Sequence, residues 1–154
     1  MIRSWGFIYA GNILGGAILG VLAAGFGIYF GAIEDEALGH IALELVRHQW
    51  WIIFVSAVLA GWMMGLLSWL VAATSDTISQ IVCIWLVTGA IGFAGLHHCI
   101  AGSVEVIAGF FGDPVVTIAQ YGNFLLWATS GNIVGGIIFS LVKFMHASQT
   151  VDSR

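Results

Sequence analysis

Charged side chains are scarce in this 154-residue chain: they make up 8% of it, and only Arg3, Arg47, Lys143 and Arg154 are basic. Four scattered cations cannot track a phosphate backbone, so nucleic-acid binding is excluded. Cysteine is nearly absent, and Cys83 and Cys99 both fall inside apolar runs. Neither a disulfide framework nor a CxxC metal or redox motif is available. The sequence offers no nucleophile placed with a base, no phosphate loop and no metal cage, so no enzyme activity and no cofactor are expected. What fills the chain instead is apolar: 60% of residues are hydrophobic and the mean hydropathy is +1.01. A small soluble domain could not hide that much apolar surface, and the lipid bilayer is the solvent that suits it.

Arg3 followed by apolar residues has the look of a secretory signal, but the apolar run continues past Tyr29 without an early cleavage site. It reads as a membrane span. A bilayer core takes about 20 apolar residues per helix, and four segments qualify: 5–33, 50–73, 78–111 and 118–145. The chain is therefore expected to be one all-α integral membrane domain. Polar residues gather in the connections, among them Glu34, Asp35, Glu36, His40, Glu44, Arg47 and His48 in the first, 74–80 in the second, and Gly112-Asp113-Pro114 in the third. Within the first, Ile41, Ala42, Leu45 and Val46 recur at helical spacing, which predicts a short amphipathic helix at the interface, read as a solvated loop helix. Arg3, Lys143 and Arg154 lie on the two terminal sides against Arg47 alone on the other, so both termini are expected in the cytoplasm.

An internal repeat organises the chain. Gly11-Asn12-Ile13-Leu14-Gly15-Gly16 in the first span returns as Gly131-Asn132-Ile133-Val134-Gly135-Gly136 in the fourth, five identities in six positions. Spans one and four run in opposite directions, so the motif marks an inverted repeat of three-helix units. The second unit is whole and the first holds only its last helix. The chain is then expected to be a fragment, a truncated reading frame, or a subunit that borrows helices from a partner. Glycines four residues apart form a groove for a neighbouring helix. Asn12 and Asn132 fit interhelical hydrogen bonding or pore lining equally.

The third span carries the chemistry, because the run from Gly92 to Glu105 holds His97, His98, Cys99, Ser103 and Glu105 deep in an apolar segment. Such residues are costly in lipid. With Gly95 and Gly102 beside them, they predict a helix broken near 95–103, tolerated where freed backbone groups are buried or line a wet cavity. Adjacent side chains on a helix point about 100° apart, so His97, His98 and Cys99 make a poor metal cage. Haem would need histidines on facing helices, which the other spans lack. An imidazole in an apolar constriction can instead donate to a small anion and exchange a proton near neutrality. A core histidine bonded to a backbone carbonyl is the plainer alternative.

The run His98-Cys99-Ile100-Ala101-Gly102, followed by a span bearing GNIVGG, resembles the H-x-[IV]-A-[NG] and GNIxGG patterns of formate/nitrite transporters. The likeness covers nearly the whole chain, and Ala101-Gly102-Ser103-Val104-Glu105 is most similar to a less characterised subgroup. The resemblance implies an aquaporin-like bundle of six helices, of which this chain would hold the last four, assembled as a homopentamer in the inner (plasma) membrane. It also implies that His98 is the central pore histidine, while Gly61 and Gly102 stand where well-known members carry pore asparagines. The family's lysine on the outer approach has no clear match, although Arg47 lies nearby in sequence.

The expected function is passive transport of small monovalent anions or weak acids such as formate or nitrite. Leu96 and Ile100 would form dry gates around His98, and His97, Gly102, Glu105, Asn132 and Asn12 would complete the pore set. Two alternatives stand beside it: a structural or regulatory membrane subunit that moves nothing, and a pore for water or small neutral solutes.

Overall fold

The computed structural model describes residues 2–111 and 116–152, and its regular structure there is entirely helical. The helices are α1 (Ile2–Tyr29), α2 (Asp35–Val46), α3 (Trp50–Ala73), α4 (Thr77–Phe93), α5 (Cys99–Phe111) and α6 (Ile118–Asp152). Three of them contain stretches long and apolar enough to cross a membrane, Arg3–Tyr29, Trp50–Ala73 and Ile118–Met145, whereas α4 and α5 are shorter apolar helices. The chain is thus a multi-pass membrane protein built of helices. The expected Gly112-Asp113-Pro114 connection lies outside the described residues. The C-terminal tail, read as polar and unstructured from residue 147, continues α6 as far as Asp152.

Two compact units divide the chain, residues 1–50 with 99–126, and 51–98 with 127–154. In the first, α5 packs on α1 across Gly16 and Gly20. A Cβ on Gly20 would stand 2.7 Å from the Val104 carbonyl oxygen and 3.2 Å from the Ala108 nitrogen. Only a glycine lets the backbones approach so closely. The first span ends earlier than residue 33. After Tyr29 the chain turns through Gly31 at φ 66°, and Ala32 and Ile33 both donate to the Gly27 carbonyl, at 2.9 and 3.1 Å. Ile33 thereby folds back onto Gly27 instead of extending the helix.

The loop helix is also more than a solvated connection. Leu38, Ala42 and Val46, one turn apart, are buried, and Leu38 and Ala42 cover Gly109 of α5. Ile41, expected on the apolar face, is exposed instead. The face was misplaced because Ile41 and Leu45 looked like anchors by bulk, whereas close approach to Gly109 selects the small Ala42.

The second unit pairs α3 with the later part of α6. The Phe54 carbonyl meets Gly131, the Val58 carbonyl meets Gly135, and Gly61 lies against the backbone of Asn132. A cluster of Ala60, Leu67, Val87 and Ile91 joins α3 to α4. The turn between those helices is tied by Gln80, whose Nε2 donates to the carbonyls of Val71 and Thr74 at 3.2 and 2.8 Å.

Candidate functional site

The interruption between α4 and α5 begins at Ala94 and ends at His98, so it is shorter than the break expected over 95–103. One glycine terminates α4. Gly95 takes a left-handed conformation at φ 61°, its N–H donates to the Gly92 carbonyl, and the Leu96 N–H reaches back to Ile91 at 3.0 Å. This is a Schellman ending, and Leu96 completes it by packing into the cluster that contains Ile91. Gly102, expected to share in the break, lies inside α5. It serves packing there, with the Phe124 ring where its Cβ would be.

The two histidines have different surroundings. His97 is 4% exposed. Its backbone N–H donates to the Ser56 hydroxyl at 3.1 Å, and its ring Nδ1 lies 2.9 Å from the same oxygen. Its carbonyl accepts from Asn132 Nδ2 at 3.0 Å, and that amide also donates to the Ala57 carbonyl at 2.8 Å. Ser56 and Asn132 therefore satisfy backbone groups that a broken helix leaves without intrahelical partners. His98, the next residue, is half-buried.

The structure brings His97 and Asn132 of the expected pore set together and adds Ser56, which the sequence reading passed over. Its signal was a hydroxyl in the otherwise apolar first half of α3. Ile100, Gly102, Glu105 and Asn12 belong to the other compact unit. There Ile100 is half-buried, with its carbonyl near Gly16. Ser103 is fully buried, donates to the Cys99 carbonyl at 2.6 Å and accepts from the Tyr121 hydroxyl at 3.0 Å. Glu105 is exposed. Asn12 is exposed and its Nδ2 donates to Ile8 of its own helix at 2.8 Å. Arg47 caps α2 and pairs with Glu44 at 2.5 Å. Among the described residues no group of three His, Cys, Asp or Glu side chains converges to hold a metal.

A helix broken inside an apolar segment, with its backbone satisfied by side chains of two other helices, is transporter architecture. The family model described as formate/nitrite transporter matches residues 1–146. The chain belongs to the formate/nitrite transporter family. Similar members include the inner membrane protein YfdC of Escherichia coli, 29% identical over 100% of this chain and 49% of its own length. The nitrite transporter NirC of Salmonella typhimurium is 24% identical over 91% of this chain and 52% of its own length. A probable formate transporter of Methanothermobacter thermautotrophicus is 31% identical over 90% and 56%. The chain spans about half the length of these family members. No solved structure matches it. The family is one of transporters rather than enzymes.

Proposed function

We propose that this chain builds part of a membrane pathway for small monovalent weak acids of the formate and nitrite class, with His98 at its centre. The interrupted helix carries the reading: Ser56 and Asn132 fasten His97 and the backbone around it, and the fastened residue presents His98 next in the chain. A bare formate or nitrite ion is strongly disfavoured in a dry constriction, whereas its neutral acid crosses easily. Donation from the His98 imidazole offsets the anion's charge at the narrowest point, and Leu96 and Ile100 supply the apolar flanks. The formate and nitrite transporters among the related proteins support this substrate class.

The same reading extends to the inverted repeat, a six-span fold, a pentamer and cytoplasmic termini. The two copies of the glycine motif support the repeat by their different occupancy. Gly131 and Gly135 are filled by α3, while a Cβ on Gly11 or Gly15 would meet nothing within 4 Å. Asn132 ties a broken helix, while Asn12 bonds only within α1. The first copy is then the seat for a helix pair equivalent to α3 and its neighbouring break.

The test is weak-acid entry into liposomes holding the native protein, compared with His98→Ala and His98→Phe. Both substitutions should remove most of the flux and flatten its dependence on pH. Unchanged flux across pH would take His98 out of the mechanism.

A further inference from the structure

Glu105 is the one Asp, Glu, Lys or Arg in the body of α5, and it has no hydrogen bond or ion pair among the described residues. The surroundings of α5 within its own unit show which face carries it. Val104 and Ala108 meet α1 at Gly16 and Gly20, Gly109 lies under Leu38 and Ala42 of α2, and Gly102 lies under Phe124. Ser103 is bonded to Tyr121. What these contacts leave exposed in the body of the helix is Ala101 and Glu105, four residues apart and so on one face.

A carboxylate on that face has three possible environments: lipid, a cation, or a wet path. Lipid is the most costly, since an ionised side chain at such depth is tolerated only where it is paired or hydrated. A cation is not supplied by the neighbours. The only Lys or Arg of α1 is Arg3 in its first turn, well before the Gly16 and Gly20 contacts, and residues 118–126 of α6 have none. On α2, Arg47 is held by Glu44, and His40 lies 3.9 Å from the same carboxylate. A wet path remains. The small Ala101 beside Glu105 keeps the face open, and α5 is the helix that leaves the interruption directly after His98.

We propose that Glu105 lines the transport pathway and makes it discriminate against free anions, so that the species admitted along α5 is the neutral weak acid. The approach from α2 has the same sign, with Glu34, Glu36 and Glu44 against Arg47. A fixed negative charge beside a narrow path raises the barrier for an anion and leaves a neutral acid unaffected. The inference rests on the pathway reading above and assigns its permeant a charge state.

The experiment adds sodium formate at pH 7 to liposomes carrying the native protein and records lumenal acidification and membrane potential together. Neutral-acid entry acidifies the lumen, whereas anion entry generates a potential. The native protein should acidify without a formate-dependent potential. Glu105→Gln should raise the anion-driven signal at least about tenfold, the size expected of one unit charge acting over several ångströms of partly wet protein. Glu105→Asp, which keeps the charge, should behave as the native protein. An unchanged ratio of the two signals in Glu105→Gln, or a large formate potential in the native protein, overturns the inference while leaving a pathway in place. Loss of assembly in Glu105→Gln with no change in ratio would mean that Glu105 pairs with a cation of another helix, and overturns it too. Absence of any weak-acid entry in the native protein refutes the pathway reading itself, and this inference with it.

Discussion

At the scale of single residues, two adjacent imidazoles divide the work. His97 is fixed at its amide, its ring and its carbonyl by Ser56 and Asn132, and His98 takes its place from that fastening. Ser56 thus acts on His98 through His97. Removing its hydroxyl leaves a buried amide and ring nitrogen short of a partner, which costs about 1–3 kcal/mol. Ser56→Ala should therefore lower thermal stability by that order and shift the pH profile of weak-acid entry, whereas Ser56→Thr, which keeps the hydroxyl, should restore the profile. An unchanged pH profile in Ser56→Ala would show that the bond is only structural. The sequence identified the histidine pair, because imidazoles deep in an apolar run demand an explanation. It could not show which of the two is fastened, since Ser56 lies 41 residues from His97.

At the scale of elements, periodicity located every long helix, because about 20 apolar residues in a row leave little else for the chain to do in a bilayer. The ends were harder to read. A single left-handed glycine stops α4 at Gly95, and a hydrogen-bonded turn stops α1 before Gly31. Gly102 carries the same letter and does the opposite job, filling space inside α5. Glycine in a span marks either a bend or a close contact, and only the neighbouring helix decides between them. The first turn of α4 rests on a polar cap that periodicity does not reveal. Asp76 accepts from the Ser79 N–H at 2.8 Å and from its hydroxyl at 2.9 Å. The Ser79 backbone bond, followed by the hydroxyl bond, holds the Asp76 carboxyl below the usual carboxylate range. A folded-state pKa below the unfolded one stabilises the cap above the unfolded value, and that support fades as pH falls through the folded value. Amide exchange at the start of α4 should therefore be slower at pH 7 than in strong acid, once the intrinsic rate is corrected for. Asp76→Ala should abolish that difference, and a difference that survives the substitution would rule the cap out as its source.

At the scale of the whole molecule, the repeat was legible as six letters, but its meaning depends on what covers each copy. The second copy holds α3 at Gly131 and Gly135, and the first leaves Gly11 and Gly15 open. No composition argument could have separated the two, because the motifs are nearly identical and the difference lies in their neighbours. The membrane class followed from composition and the family from the motifs around His98 and Asn132. The packing of α2 on α5 required the structure, since the bulk of Ile41 pointed to the wrong face.

The account stands or falls on whether the native protein opens a route for small weak acids. The direct measurement is stopped-flow entry of formate and nitrite into its proteoliposomes, set against protein-free liposomes and against glycerol as a neutral control. Entry of both acids well above the protein-free rate, with glycerol unchanged, is the predicted result. Rates equal to those of protein-free liposomes would contradict the account and leave the glycine grooves with packing as their role.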